Sequence, residues 1–281
     1  MAGVHVNEVS SIEAAIRLQA CFAPETLRGS VSILPIVNLP ALFQYTQYDC
    51  PIDGRNINFT FPGQPGGTFS QALCHALLFD WAREASVHVD LHGGDLRERV
   101  SHFAMYQRSG AAADDQRREA LAHAFDADLI VGFKPSLMSS PGRAITALAA
   151  VGRDAVMSEA GSNGVVDESA VHFHVGGVLN VARSLGMIDG PPSAAARRQV
   201  VCGEYLWVEC PAEGFVRLFV EVGQPVAAGQ LLGVVRNPFG AEVGRIQAPA
   251  DGHVLWCVTH PVLRARDFVL GLGLEARPTP R

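Results

Sequence analysis

Along the first 190 or so residues of this chain, helix-like and strand-like segments take turns; after them only short β-prone runs remain. At 10–20, Ile12, Ala15, Ile16 and Ala20 recur at helical spacing behind a capping-box pair, Ser10 and Glu13. Residues 30–37 read as a strand, 38–68 as a loop rich in Pro, Gly and Asn, and 70–84 as a helix. The short apolar runs 87–91, 129–133 and 155–157 end in glycine or polar residues, as buried parallel strands do. Helical segments at 112–125 and 171–185 complete an α/β order. Beyond Pro191-Pro192, runs such as 216–220, 231–235, 254–258 and 268–270 alternate with glycine turns and predict all-β structure. The expected boundary lies near 190–199, dividing the chain into 1–195 and 196–281.

Charge and composition remove whole classes of function. Twenty-two Lys and Arg against 28 Asp and Glu leave a net charge of −6, the wrong sign for a nucleic-acid-binding surface. No apolar run approaches the ~20 residues of a membrane span, so no membrane partner is expected. The opening MAGVHVNEVSS has neither a basic nor an apolar leader region, and six scattered cysteines form no CxxC pair. These features predict a cytoplasmic protein with reduced thiols. The β-rich part resembles the biotinyl/lipoyl-like barrel-sandwich module, which carries its cofactor on a lysine. Residues 196–281 contain no lysine, so carriage on a swinging arm is excluded. A structural or oligomer-forming cap is expected instead, which leaves homo-oligomerisation open.

Three places carry groups fit for chemistry. His5 and Glu8 form an HxxE pair one helical turn apart, able to face one ion, although the same spacing is common on solvated faces. His92 follows an apolar run in Asp90-Leu91-His92-Gly93-Gly94, at the strand end where α/β sheets collect ligands; a hydrogen-bonded strand-end histidine is the plainer reading. Glu159 stands at a similar strand end before Gly161. Together, two imidazoles and a carboxylate make a catalytic zinc shell with an open position, and the second glutamate supplies a base. Asp90, on the same strand face as His92, is either a carboxylate that orients it from behind or a simple strand-end acid. Glu98 is expected near the pocket. His172 and His174, beside Asp167 and Glu168, are a second metal candidate or the solvated first turn of a helix.

The order GVHVNE, PIDGRNINFTFPG, VDLHGGD, SEAGSNG resembles the succinylglutamate desuccinylase/aspartoacylase family, the deacylase branch of the zinc carboxypeptidase-like hydrolases. The resemblance covers nearly the whole chain. It implies a zinc carboxypeptidase-like α/β/α domain with a mixed sheet, followed by the small β module. It also implies one zinc per chain on His5, Glu8 and His92, Glu159 as general base, and Asn58 in the stretch that holds the substrate carboxylate.

This sequence departs from the family pattern in three ways. The usual N-L-N-R reads Asn56-Ile57-Asn58-Phe59, so Phe59 stands where an arginine clamps a carboxylate. Tyr48 occupies the place of the arginine three residues before Pro51-Ile52-Asp53, and Arg55 is the nearby candidate to replace one lost charge. The family also places several dozen residues, including early strands, before HxxE, so the expectation here is a smaller sheet, another segment in place of those strands, or a misassigned start. The expected activity is zinc-dependent hydrolysis of the amide of a small N-acylated amine or amino acid, less anionic than acetylaspartate or succinylglutamate. The alternatives are a zinc-binding homologue retired from catalysis, serving ligand sensing or assembly, and a carboxypeptidase, for which no carboxylate clamp is visible.

Overall fold

The computed structural model describes residues 1–44, 46–137, 142–193 and 199–278. The expected division at 195/196 falls on 194–198, outside the described residues. The apolar runs form a mixed sheet of β1 (Val87–His92), β2 (Glu98–Gln107), β3 (Leu129–Phe133) and β4 (Asp154–Ser162). β1 pairs with β4 in parallel, β4 with β2 antiparallel, and β2 with β3 in parallel.

Successive side chains of these strands feed opposite cores, as the two-residue period of a strand requires. Phe103, Met105, Ala155 and Met157 pack with α2 (Phe69–Ala76) and α4 (Ala144–Ala150). Ala104, Tyr106 and Val156 pack with α1 (Val9–Leu18), α3 (Ala112–His123) and α5 (Glu168–Ser184). Burial on both faces explains why the strands read as continuous apolar runs.

The second half supplies β5 (Val200–Cys202), β6 (Glu204–Glu209), β7 (Gly214–Leu218), β8 (Leu231–Arg236), β9 (Glu242–Gln247), β10 (Gly252–Val258) and β11 (Phe268–Leu274). The texture predicts a self-contained barrel-sandwich; the structure differs. β5 extends the main sheet beside β3, and β10 pairs with the first residues of β2, with Val258 opposite Glu98. β11 and β6 continue outward from β10. β7, β8 and β9 form a separate antiparallel sheet, edged by Val262–Leu263. Strand edges committed to the main sheet cannot also close a barrel, and none closes among the described residues.

Three local expectations change. Residues 30–37 run irregularly beside Ala2 and Gly3, because Pro35 lacks the N–H a ladder needs; Ala2 N–H donates to Leu34 O and Val37 N–H to Ala2 O. Helix α1 starts at Val9 with Glu8 as its N-cap, while Ser10 Oγ donates to Val165 O, so Ser10 and Glu13 form no capping box. That device appears instead at Thr68 and Gln71, starting α2. Among the described residues no helix is long and apolar enough to cross a membrane.

Candidate metal centre and active site

The segment before α1 is held against β1. Met1 N–H donates to Val89 O at 2.7 Å and Leu91 N–H to Met1 O at 2.9 Å, so residues 1–8 start alongside the strand that ends in His92. A tight turn then brings Glu8 back over His5, and Ser11 Oγ donates to Glu8 O at 2.7 Å. His5, Glu8 and His92 are all buried, and one ligand atom from each lies within 4.8 Å of the others.

The contacts define which nitrogens face inward. Asn56 Oδ1 accepts from Asn58 N–H at 2.9 Å, which fixes the amide, and lies 3.0 Å from His5 Nε2. His5 therefore carries its proton on Nε2 and turns Nδ1 to Glu8 Oε1 at 2.5 Å. His92 turns Nδ1 to Glu8 Oε2 at 3.0 Å, while its Nε2 lies 3.3 Å from Asp90 Oδ2. Glu8 Oε2 also accepts from Gly93 N–H at 3.1 Å. Two nitrogen lone pairs aimed at one buried carboxylate call for positive charge between them. Burial pulls both imidazoles down, but Glu8, joined at His92 by Asp90, outweighs it and raises both. Burial pushes the Glu8 carboxyl up, yet the two histidines hold it at about 2. Two imidazole Nδ1 atoms and a carboxylate, with Asn56 and Asp90 behind the rings, fit a zinc ion.

Glu159 lies on β4 directly opposite His92 in the parallel register. Burial, with the charges of Glu8 and Glu98, pushes its carboxyl well above the usual range, against the pull of His92 and Arg143. The paired glycines after His92 explain this closeness. A Cβ on Gly93 would stand 2.1 Å from Ala160 O, and one on Gly94 2.5 Å from Gly161 O, so the space they leave belongs to the neighbouring strand rather than to substrate.

Beside these groups opens a cavity of ≈400 Å³ that also takes in Asn58, Phe59, Arg143, Tyr205, Trp207 and Trp256. A wider hollow of ≈730 Å³ between α1, β1 and Trp81 contains none of the metal-ligand set. In the smaller cavity, Arg143 is the N-cap of α4 and its guanidinium lies over three rings: Phe133 at 5.0 Å, Phe59 at 5.3 Å and Trp207 at 5.9 Å. Burial lowers its pKa from the usual value, an effect that Tyr205 and Glu159 oppose. No carboxylate among the described residues lies within ion-pair distance of Arg143.

The profile of the succinylglutamate desuccinylase/aspartoacylase catalytic domain matches residues 1–185. The chain belongs to this family. It is 25% identical over 279 residues to the N-alpha-acetyl-L-2,4-diaminobutyric acid deacetylase of Halomonas elongata, covering 97% of this chain and 78% of that protein. The crystal structure of a succinylglutamate desuccinylase/aspartoacylase from Rhodobacter sphaeroides superposes with a TM-score of 0.86 at 26% identity, covering 100% of this chain and 85% of the other. The product-bound ectoine utilization protein EutE (DoeB) of Ruegeria pomeroyi shares the fold, with a TM-score of 0.87 at 24% identity, covering 97% and 83%. Relatives in the succinylglutamate desuccinylase/aspartoacylase family are thus deacylases of N-acyl amino acids.

In this family member the remaining candidates separate. Asn58 is buried at the cavity, with no partner for its Oδ1 among the described residues. Tyr48 stands edge-on to His5 at 5.4 Å and donates its hydroxyl proton to Glu98 Oε1 at 2.6 Å. Phe59 forms part of the rim under Arg143, whereas Arg55 is exposed and outside the cavity. His172 is exposed with Nδ1 against Glu168 O; His174 is buried with Nδ1 against Ser158 Oγ, so the HxH pair does not converge. Asn56 and Arg143 escape sequence reasoning. The first was within reach, two residues before Asn58 in a stretch already singled out. The second sits in a segment with no motif and is defined by rings 84, 10 and 64 positions away in the chain.

Proposed function

We propose that this chain is a zinc-dependent amidohydrolase that removes the acyl group from a small N-acyl amino acid. The carrying observation is the convergence of His5, Glu8 and His92 beside Glu159, in the wall of a cavity that also holds Arg143, half-buried and without an ion-pair partner among the described residues. Zinc on those three ligands supplies Lewis acidity and brings the pKa of water from 15.7 toward ~7. Glu159 takes the proton of the attacking water and returns it to the leaving amine nitrogen. Its place directly opposite His92 suits a group that must hold that proton between the two transfers. Arg143 binds the substrate carboxylate, in place of the clamp lost at Phe59, and the free Asn58 Oδ1 accepts an N–H from the ligand. Asp90 and Asn56 hold the two ligand rings in orientation. Trp207, Trp256 and Phe268 wall the cavity from the second half of the chain and keep bulk water from it.

The deciding variant is Glu159→Gln. It should retain about one zinc per chain by plasma mass spectrometry while turnover of N-acetyl amino acids falls roughly 10²–10⁴-fold. Near-normal turnover would overturn the assignment of the base. Wild-type protein that holds zinc yet hydrolyses no N-acyl amino acid would overturn the enzymatic reading in favour of sensing or assembly.

A further inference from the structure

Arg143 and Tyr205 come from the two halves of the chain and meet on the same rings. Tyr205, on β6, is half-buried in the cavity wall. Its ring lies 6.0 Å from Phe133 and 6.0 Å from Trp207, two of the rings under the Arg143 guanidinium, at 5.0 and 5.9 Å. The phenol oxygen accepts the Trp256 Nε1–H at 2.5 Å. An indole N–H only donates, so Tyr205 keeps its own O–H to give. Among the described residues no acceptor takes it. Burial keeps that proton on the phenol, against the pull of Arg143.

Trp256 reaches Tyr205 through a gap left by a glycine. Gly271, on β11, stands opposite both Trp256 and Trp207 in the strand registers. A Cβ there would lie 2.2 Å from Trp256 Nε1 and 2.9 Å from the Tyr205 hydroxyl oxygen. The missing side chain is what lets the indole lie over the strand and hold the phenol. A donor fixed in this way, next to an arginine without an ion-pair partner among the described residues, is prepared for an anionic group of a ligand.

We infer that Tyr205 is a substrate-binding residue: its hydroxyl donates to the carboxylate that pairs with Arg143, and Trp256 positions it from behind. The inference rests on the deacylase reading for the identity of the ligand. Charge comes from the first half of the chain and a directed neutral donor from the second. The β-rich half thus completes the binding site instead of only covering it.

The test compares N-acetylnorvaline with N-acetylbutylamine, which differ only in the carboxylate. In zinc-loaded Tyr205→Phe, KM for N-acetylnorvaline should rise about ten- to a hundredfold with kcat nearly unchanged, while N-acetylbutylamine is handled as by wild type. Trp256→Phe, which keeps a ring but removes the N–H, should raise the same KM about three- to tenfold. Titration calorimetry of the products, norvaline and butylamine, on the same proteins reads the preference for the carboxylate without turnover. Wild-type protein with no such preference, a preference that Tyr205→Phe leaves intact, or a loss that falls equally on both ligands would overturn the role of Tyr205. An equal loss on both ligands in Trp256→Phe would overturn the positioning role of Trp256. Carboxylate preference that depends on Tyr205, without hydrolysis of any N-acyl amino acid, would uphold the site while the deacylase reading falls.

Discussion

The metal corner and the substrate wall of this protein are built on opposite plans. The proposed ligands His5, Glu8 and His92 come from two short motifs on neighbouring backbone segments, the end of β1 and a segment tied to β1 by main-chain bonds at Met1. The wall gathers Phe59, Arg143, Trp207 and Trp256 from a 3₁₀ turn, a helix N-cap and two strands, spread over nearly 200 positions of the chain. The corner is rigid because its charges need one another. The wall is held by rings packed around the Arg143 guanidinium. Chemistry is thereby kept in one region while specificity is free to drift in the other.

If that contrast is real, damage to the corner should abolish function and damage to the wall should rescale it. The largest effect is expected for His92→Ala, which removes one of three ligands and leaves Glu8 and Asp90 buried without it. Zinc should fall from about one per chain to near none, with activity at background; full zinc retention would mean a different ligand set. Next comes Arg143→Met, which keeps the stem on its rings but removes the charge. For N-acetyl amino acids kcat/KM should fall about ten- to a hundredfold, chiefly through KM, while zinc content is unchanged. A fall confined to kcat would place Arg143 with the corner instead.

The smallest effect concerns His174, behind the sheet. Burial, then the charge of His102, lowers its pKa to about 3, so the folded protein keeps it neutral while the unfolded chain takes up a proton near 6.5. Its contribution to stability is complete above pH 6.5 and is lost as the pH falls toward 3. Between pH 7 and 5 this group alone should cost about 2 kcal/mol. Urea unfolding of metal-free protein at the two pH values should show His174→Phe losing that much less than wild type. Equal losses would show that His174 is protonated in the folded state.

The same contrast explains what could be read in the sequence. Strand ends, HxxE spacing and glycine pairs are local signals, so the grouping of His5, Glu8 and His92 and the main sheet were legible. Arg143 was not, because its meaning depends on Phe59, Phe133 and Trp207 rather than on its neighbours. Residues 98–107 show no clean alternation, since β2 is buried on both faces over much of its length. Nor could glycine turns reveal that β5 and β10 would join the first sheet, because pairing across about 70 to 160 residues leaves no local mark.

Gly93 and Gly94 carry one further consequence. The distance between Glu159, the proposed proton acceptor, and the proposed metal ligands is governed less by those side chains than by two absent methyl groups, which let one strand end settle against its neighbour. A single-carbon change at either position, without charge or polarity, would force apart the two halves of the reaction while leaving every functional group chemically whole. Loss of activity by drift in this lineage could therefore leave all the recognisable motif residues in place.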